Sequence, residues 1–231
     1  MKTIGLIGGM SWESSIEYYR IINEMVNRKL GGLHSAKIIM FSLDFYEIEQ
    51  LQNQGRWGEA TDIIVNVSKK LENAGAELIL ICTNTMHMMA NQVESNINVP
   101  LLHITDVLAE EIKSKGLKKI GLLGTKFTME QDFYKKRLKD HGIEVIVPKE
   151  DERTSVNKII YDELCVGKII DSSRQRLIII IRELVKMGAE GIALACTELP
   201  LLIRQKDTNV IVFDTCRLHA EESVEIALHS D

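Results

Sequence analysis

AGAELILICTNT, residues 74–85, has a near copy in MGAEGIALACTEL, residues 187–199. In the first, the apolar run Leu78 to Ile81 and then Cys82 reads as a strand buried on both faces, because no polar residue alternates within it. It stops abruptly in Thr83-Asn84-Thr85. The second run, Gly191 to Ala195, likewise reaches a cysteine, Cys196, and stops in Thr197-Glu198. A thiol at the end of a buried strand, followed by small polar residues, thus occurs twice.

Two further pairs keep the same order along the chain. KTIGLIGGMS (2–11) corresponds to KKIGLLGTKFT (118–128), and NVPLLHITDVLAEEI (98–112) to NVIVFDTCRLHAEESVEIA (209–227). The offsets are 116 from Ile4 to Ile120, 114 from Cys82 to Cys196 and 111 from Val99 to Val210. Three matches in register predict two similar halves. Each half opens with a short apolar strand, a glycine-rich turn and a helix. In the first, SWESSIEYYRIINEMVNRKL places Ile16, Tyr19, Ile22 and Val26 at helical spacing and stops at Gly31-Gly32. In the second, Thr128 and Gln131 form a capping-box pattern, with the helix ending at His141-Gly142. Further strands are expected in AKIIMFSLD, ELILIC, PLLHI, IGLLG, IEVIV, GIALAC and VIVFD. Amphipathic helices such as TDIIVNVSKKLENAG and SSRQRLIIIIRELVKMG lie between several of them.

This alternation predicts an α/β fold: two similar lobes, each a parallel sheet covered by helices, related by pseudo-symmetry. The expected first lobe is 1–98 plus 212–231, its last helix packing back on it, and the second is 99–211. Ligands of open parallel sheets bind beyond the carboxyl ends of the strands, where both cysteines lie. An active site is therefore expected in the cleft between the lobes, with the two thiols facing each other.

The bulk of the chain excludes other classes. A net charge of −5 without a Lys/Arg cluster argues against nucleic acid or an anionic membrane as partner. No apolar run reaches the roughly 20 residues that span a bilayer, and RLIIIIREL is expected to be a core helix. The opening MKTIGLIGGMS is too glycine-broken for a signal peptide, so a cytoplasmic setting is expected. The cysteines, 82, 165, 196 and 216, form no C-x-x-C and sit at no zinc-finger spacing, so no metal is expected. Cys165 and Cys216 lack the strand-end setting and read as packing residues. Gly5, Gly8 and Gly9 do not keep dinucleotide-loop spacing, and there is no Walker lysine.

Two acid–base groups on opposite faces of one carbon can invert a stereocentre. One, as thiolate, removes the α-proton, and the other, as thiol, returns a proton to the far face. Helix-start N–H groups after each cysteine would hold a substrate carboxylate and lower the thiol pKa. The competing reading is that Asn84, Thr85 or Thr197 merely caps its helix. Asp44 with Glu47 is also a capping-box pattern, with orientation of Cys82 as the functional alternative. His87, His103 and His219 are single histidines on separate elements and read as structural.

The segments LICTNTMHMM and IALACTELPLL resemble the two cysteine signatures of the aspartate/glutamate racemase superfamily, from the GLIGGMSWES opening to the HAEES near the end. GGMSWES and SLDFYEIE are similar to its broad-specificity amino-acid racemase branch. The resemblance implies a cofactor-free (pyridoxal-independent) racemase, with Cys82 and Cys196 as proton acceptor and donor. It implies substrate contacts from Met10, Gln52, Thr83, Asn84, Thr85, Thr125, Thr197 and Glu198, and a homodimer. Aspartate-specific relatives follow the second strand with Asp-Arg, where this chain has Asp44-Phe45, and carry a lysine where it has Cys165. Both departures point to a pocket tolerant of neutral or longer side chains. Related activities remain as alternatives, namely maleate isomerase, hydantoin racemase or a decarboxylase, as does a non-catalytic two-lobed amino-acid sensor.

Overall fold

The apolar runs are strands, and the computed structural model, which describes residues 1–229, arranges them in two sheets of identical order. The first contains β1 (Ile4–Gly8), β2 (Ile38–Ser42), β3 (Leu78–Ile81) and β4 (Leu101–Leu102), with helices α1 (Trp12–Leu30), α2 (Phe45–Asn53), α3 (Trp57–Asn73) and α4 (Ala90–Glu94) between them. The second contains β5 (Lys119–Gly124), β6 (Glu144–Ile146), β7 (Gly191–Ala195) and β8 (Ile211–Asp214). Its helices are α5 (Ile104–Ser114), α6 (Lys126–Glu130), α7 (Asp132–Asp140), α8 (Glu150–Lys158) and α9 (Asp171–Lys186), and α10 (Thr215–Leu228) follows β8. The strand orders are β2-β1-β3-β4 and β6-β5-β7-β8, all pairings parallel. Every residue of the central strands β1, β3 and β7 is buried, as runs covered on both faces require.

The contacts divide the chain into two units: Met1–His103 with the segment from His219 onward, and Ile104–Leu218. Both crossings fall later than 98/99 and 211/212. Leu101 and Leu102 pair with Ile79 and Leu80, so β4 closes the first sheet before the chain leaves it. β8 pairs with β7, so the chain returns only after the first turn of α10. From His219 on, α10 packs on the first unit: Ala227 accepts from the Lys2 N–H at 2.9 Å, and Glu225 pairs with Lys29 at 2.7 Å.

A matched pair of glutamates marks the repeat. Glu77 Oε2 accepts from Thr3 N at 2.7 Å, while Glu190 Oε2 accepts from Lys118 N and Lys119 N at 2.7 and 2.9 Å. Both lie just before the cysteine strand and grip the start of its neighbour.

Two helices differ from expectation. In α1, Ile22 and Val26 are buried, but Ile16 and Tyr19 are 52% and 55% exposed. The inner face of its first turns is Ser14, Ser15 and Tyr18 instead. Ser15 Oγ accepts the Gly9 N–H at 2.8 Å and donates to Ser11 O at 2.8 Å, and only a small side chain admits the glycine turn so near. In the second unit the cap is Thr125, not Thr128: Thr125 Oγ1 accepts from Thr128 N at 3.3 Å. The chain then breaks at Gln131, whose extended backbone both ends α6 and starts α7; the stop at His141 is as expected. α9 is a core helix, burying Leu177, Ile180, Ile181 and Leu184. No helix among the described residues is long and apolar enough to cross a membrane.

Candidate active site

Cys82 follows the last residue of β3 directly and is buried, its N–H donating to Ile7 O at 2.9 Å. The chain then turns through Thr83 and Asn84 into a short 3-10 helix, Thr85–Met89. Asn84 and Thr85 are buried and Thr83 is half-buried. Gln52, buried on α2, reaches this turn: its Nε2 donates to Met86 Sδ at 3.1 Å, while its Oε1 is buried without a hydrogen-bond partner among the described residues. Met10 packs in the same apolar cluster as Met86, Met89, Ile7 and Ile48. Asp44 is the N-cap of α2, accepting the Tyr46 N–H at 3.0 Å.

Cys196 holds the same place after β7, buried, with Thr197 and Glu198 buried beside it. Its Sγ donates to Glu198 Oε2 at 3.0 Å, and Thr197 Oγ1 donates to the same oxygen at 3.0 Å. Thr125, also buried, follows Gly124, which pairs with Ala195 at the end of β7. Thus each sheet carries one group of the expected residues at its carboxyl end.

The expectation of helix-lowered thiol pKa values is corrected by the structure. Burial pushes the Cys82 thiol well above its ordinary value. Cys196 is raised as well, first by burial, then by the negative charge of Glu198 and by Cys165; the Glu198 N–H lowers it, but by less. The turns after the cysteines are 3-10 segments of five and three residues, too short for an aligned dipole to outweigh the loss of water.

Three features escape a reading by spacing. Glu198 bonds directly to the thiol, a matter of side-chain direction. Cys165, while packing against the second core, lies near enough to Cys196 to oppose its ionisation. His87, His103 and His219, each unremarkable alone, pack together in the first unit: His87 lies 4.6 Å from His103 and 5.7 Å from His219 between ring centroids.

A family profile described as Asp/Glu/hydantoin racemase matches residues 7–223. The chain belongs to that family. The broad specificity amino-acid racemase RacX of Bacillus subtilis (strain 168) is 28% identical over 97% of this racemase-family chain and 98% of its own length. Among solved structures, a Yersinia pestis protein described as a candidate Asp/Glu racemase is 53% identical, with a TM-score of 0.92 over 99% of this chain and all of its own. An aspartate racemase homologue from Pyrococcus horikoshii is 40% identical, with a TM-score of 0.87 and the same coverage.

Proposed function

We propose that the protein is a pyridoxal-independent amino-acid racemase that inverts Cα by two-base chemistry, with Cys82 and Cys196 as the bases in one shared site. The observation that carries this reading is the doubling: in two sheets of the same order, the same strand ends in a buried thiol followed by threonine. A packing role alone gives no reason for sulfur at both places, since valine or alanine packs as well.

In the forward direction one cysteine, as thiolate, takes the α-proton and becomes a thiol. The C–H electron pair passes into the substrate carboxylate as an enediolate. The opposite thiol then gives its proton to the other face and becomes the thiolate, leaving the enzyme set for the reverse reaction. Because burial disfavours both thiolates, the ionised state is scarce until substrate binds. The ammonium of the incoming amino acid supplies a positive charge that favours thiolate beside it. Water exclusion and fixed donors around the carboxylate stabilise the enediolate. Asn84 and Thr85 on one side, Thr125 and Thr197 on the other, are the neutral donors assigned to substrate. Gln52 joins them, since its buried Oε1 has no donor among the described residues and is open to one from the substrate.

The side-chain pocket is assigned broad tolerance, because Phe45 and Cys165 supply no cation for an acidic group. A homodimer belongs to the same reading. Trp12, Ile16 and Tyr19, at successive turns of α1, form an exposed apolar stripe that a second copy would cover, and sedimentation velocity tests it.

The test is incubation of single enantiomers in deuterium oxide, across neutral, basic and acidic amino acids and hydantoins. Deuterium should enter at Cα as optical rotation is lost. Cys82→Ser and Cys196→Ser should each lower the rate by about 10² to 10⁴-fold. Full activity in either variant removes that cysteine from the chemistry, and absence of exchange with every substrate removes the assignment.

A further inference from the structure

The turn that follows Cys82 is gripped from behind by groups the proposed proton transfer does not use. Nδ1 of His87 lies 2.8 Å from the carbonyl oxygen of Thr83. A carbonyl only accepts, so this nitrogen carries the proton and donates. The backbone N–H of His87 donates to Asn84 O at 3.2 Å. One residue thereby ties down both of the residues directly after the thiol.

The ring of His87 is itself wedged. It is buried, tilted against His103 and edge-on to His219. The tautomer of His219 follows from its partners. Its Nε2 faces the carbonyl of Leu102 at 2.9 Å and must donate, which leaves Nδ1 to accept from the hydroxyl of Tyr18 at 2.8 Å. Both nitrogens are occupied in the neutral form, and burial keeps that form down to a pKa of about 3. The positions of the three rings join distant parts of the chain. Leu102 ends β4, His103 is the last residue before the chain leaves the first unit, and His219 is the first after it returns. The wall behind the Cys82 turn is therefore made of both crossings.

We propose that His87 is a positioning residue for Cys82: its Nδ1–H bond to Thr83, backed by His103 and by the Tyr18–His219–Leu102 chain, holds the turn closed around the thiol. This rests on the assignment of Cys82 as a base for its catalytic meaning, but the closure of the turn can be measured without any turnover. The grip is directional. A side chain that keeps a donor where Nδ1 stands should preserve it, and one that only fills the space should not.

His87→Asn retains such a donor and His87→Leu does not. Alkylation of each cysteine by iodoacetamide, followed by peptide mass, reads the opening of the turn. Cys82 should react roughly tenfold faster in His87→Leu and within about threefold of wild type in His87→Asn, because one buried hydrogen bond separates them. Cys216, buried in the second unit, should keep its rate in both. In the racemisation assay His87→Leu should lose about 10 to 100-fold in kcat with little change in KM, and His87→Asn should recover most of it. Equal protection of Cys82 in all three proteins overturns the inference. So does equal release in both variants, or release of Cys82 and Cys216 together, which means general loosening. Absence of racemisation in wild type would remove the function while the alkylation rates still decide the role of His87.

Discussion

Glu198 shares one oxygen between Cys196 Sγ and Thr197 Oγ1, each at 3.0 Å. A carboxylate in that place favours the thiol over the thiolate, and Cys82 has no such neighbour among the causes of its shift. The two sulfurs are therefore equivalent in the chain but unequal in electrostatics. Replacing Glu198 by Gln removes the charge and keeps the shape, so the limb of the pH–rate profile that needs Cys196 as thiolate should move to lower pH. Enantiomers have an equilibrium constant of one, so kcat/KM must stay equal in the two directions while kcat and KM change separately. Superimposable profiles for wild type and Glu198→Gln would remove the carboxylate from control of Cys196. The strand-end positions of the two cysteines were legible from spacing alone. The partnership of Glu198 was not, since adjacent residues reveal nothing about which way a side chain turns.

At the scale of elements, the glycine turn after β1 is the least tolerant piece of backbone near Met10. Gly9 has φ +86°, and a Cβ there would stand 2.2 Å from the carbonyl oxygen of Leu43. Gly55 also has positive φ, +69°, but a Cβ there meets nothing within 4 Å. Gly9→Ala should therefore cost about 2 kcal/mol or more, lowering Tm by roughly 4–8 °C, and Gly55→Ala distinctly less. Similar thermal shifts for the two would mean the close approach to Leu43 costs nothing. Strands were legible because buried parallel strands are continuous apolar runs. The inner face of α1 was not, because Ser14 and Ser15 face inward where the glycine turn comes too near for a larger side chain. The break at Gln131 was equally hidden, since both sides of it have helical composition.

Across the whole molecule, the repeat is exact in strand order but not in length. Glu77 and Glu190 lie 113 residues apart and Cys82 and Cys196 lie 114, so β7 reaches its thiol one residue later than β3. The shared site is the part of the proposed function that depends on both units at once. A short bifunctional alkylating reagent should join Cys82 to Cys196 within one chain, and a slowly turned-over amino acid should protect against it. Modification of both residues singly, with no joined product, would separate the thiols and end two-base chemistry at a common carbon.

Local chemistry written in order along the chain was determined by the sequence: two parallel sheets, their repeated order, and a thiol at the same place in each. Burial patterns and strand-end motifs are short-range, so they survive in one dimension. Only the tertiary structure decided the rest. It raised the thiol pKa values by excluding water, set the Glu198 carboxylate against Cys196, and gathered His87, His103 and His219 from positions far apart in the chain. Each of these depends on side-chain direction and on solvent excluded by distant residues, which spacing does not encode.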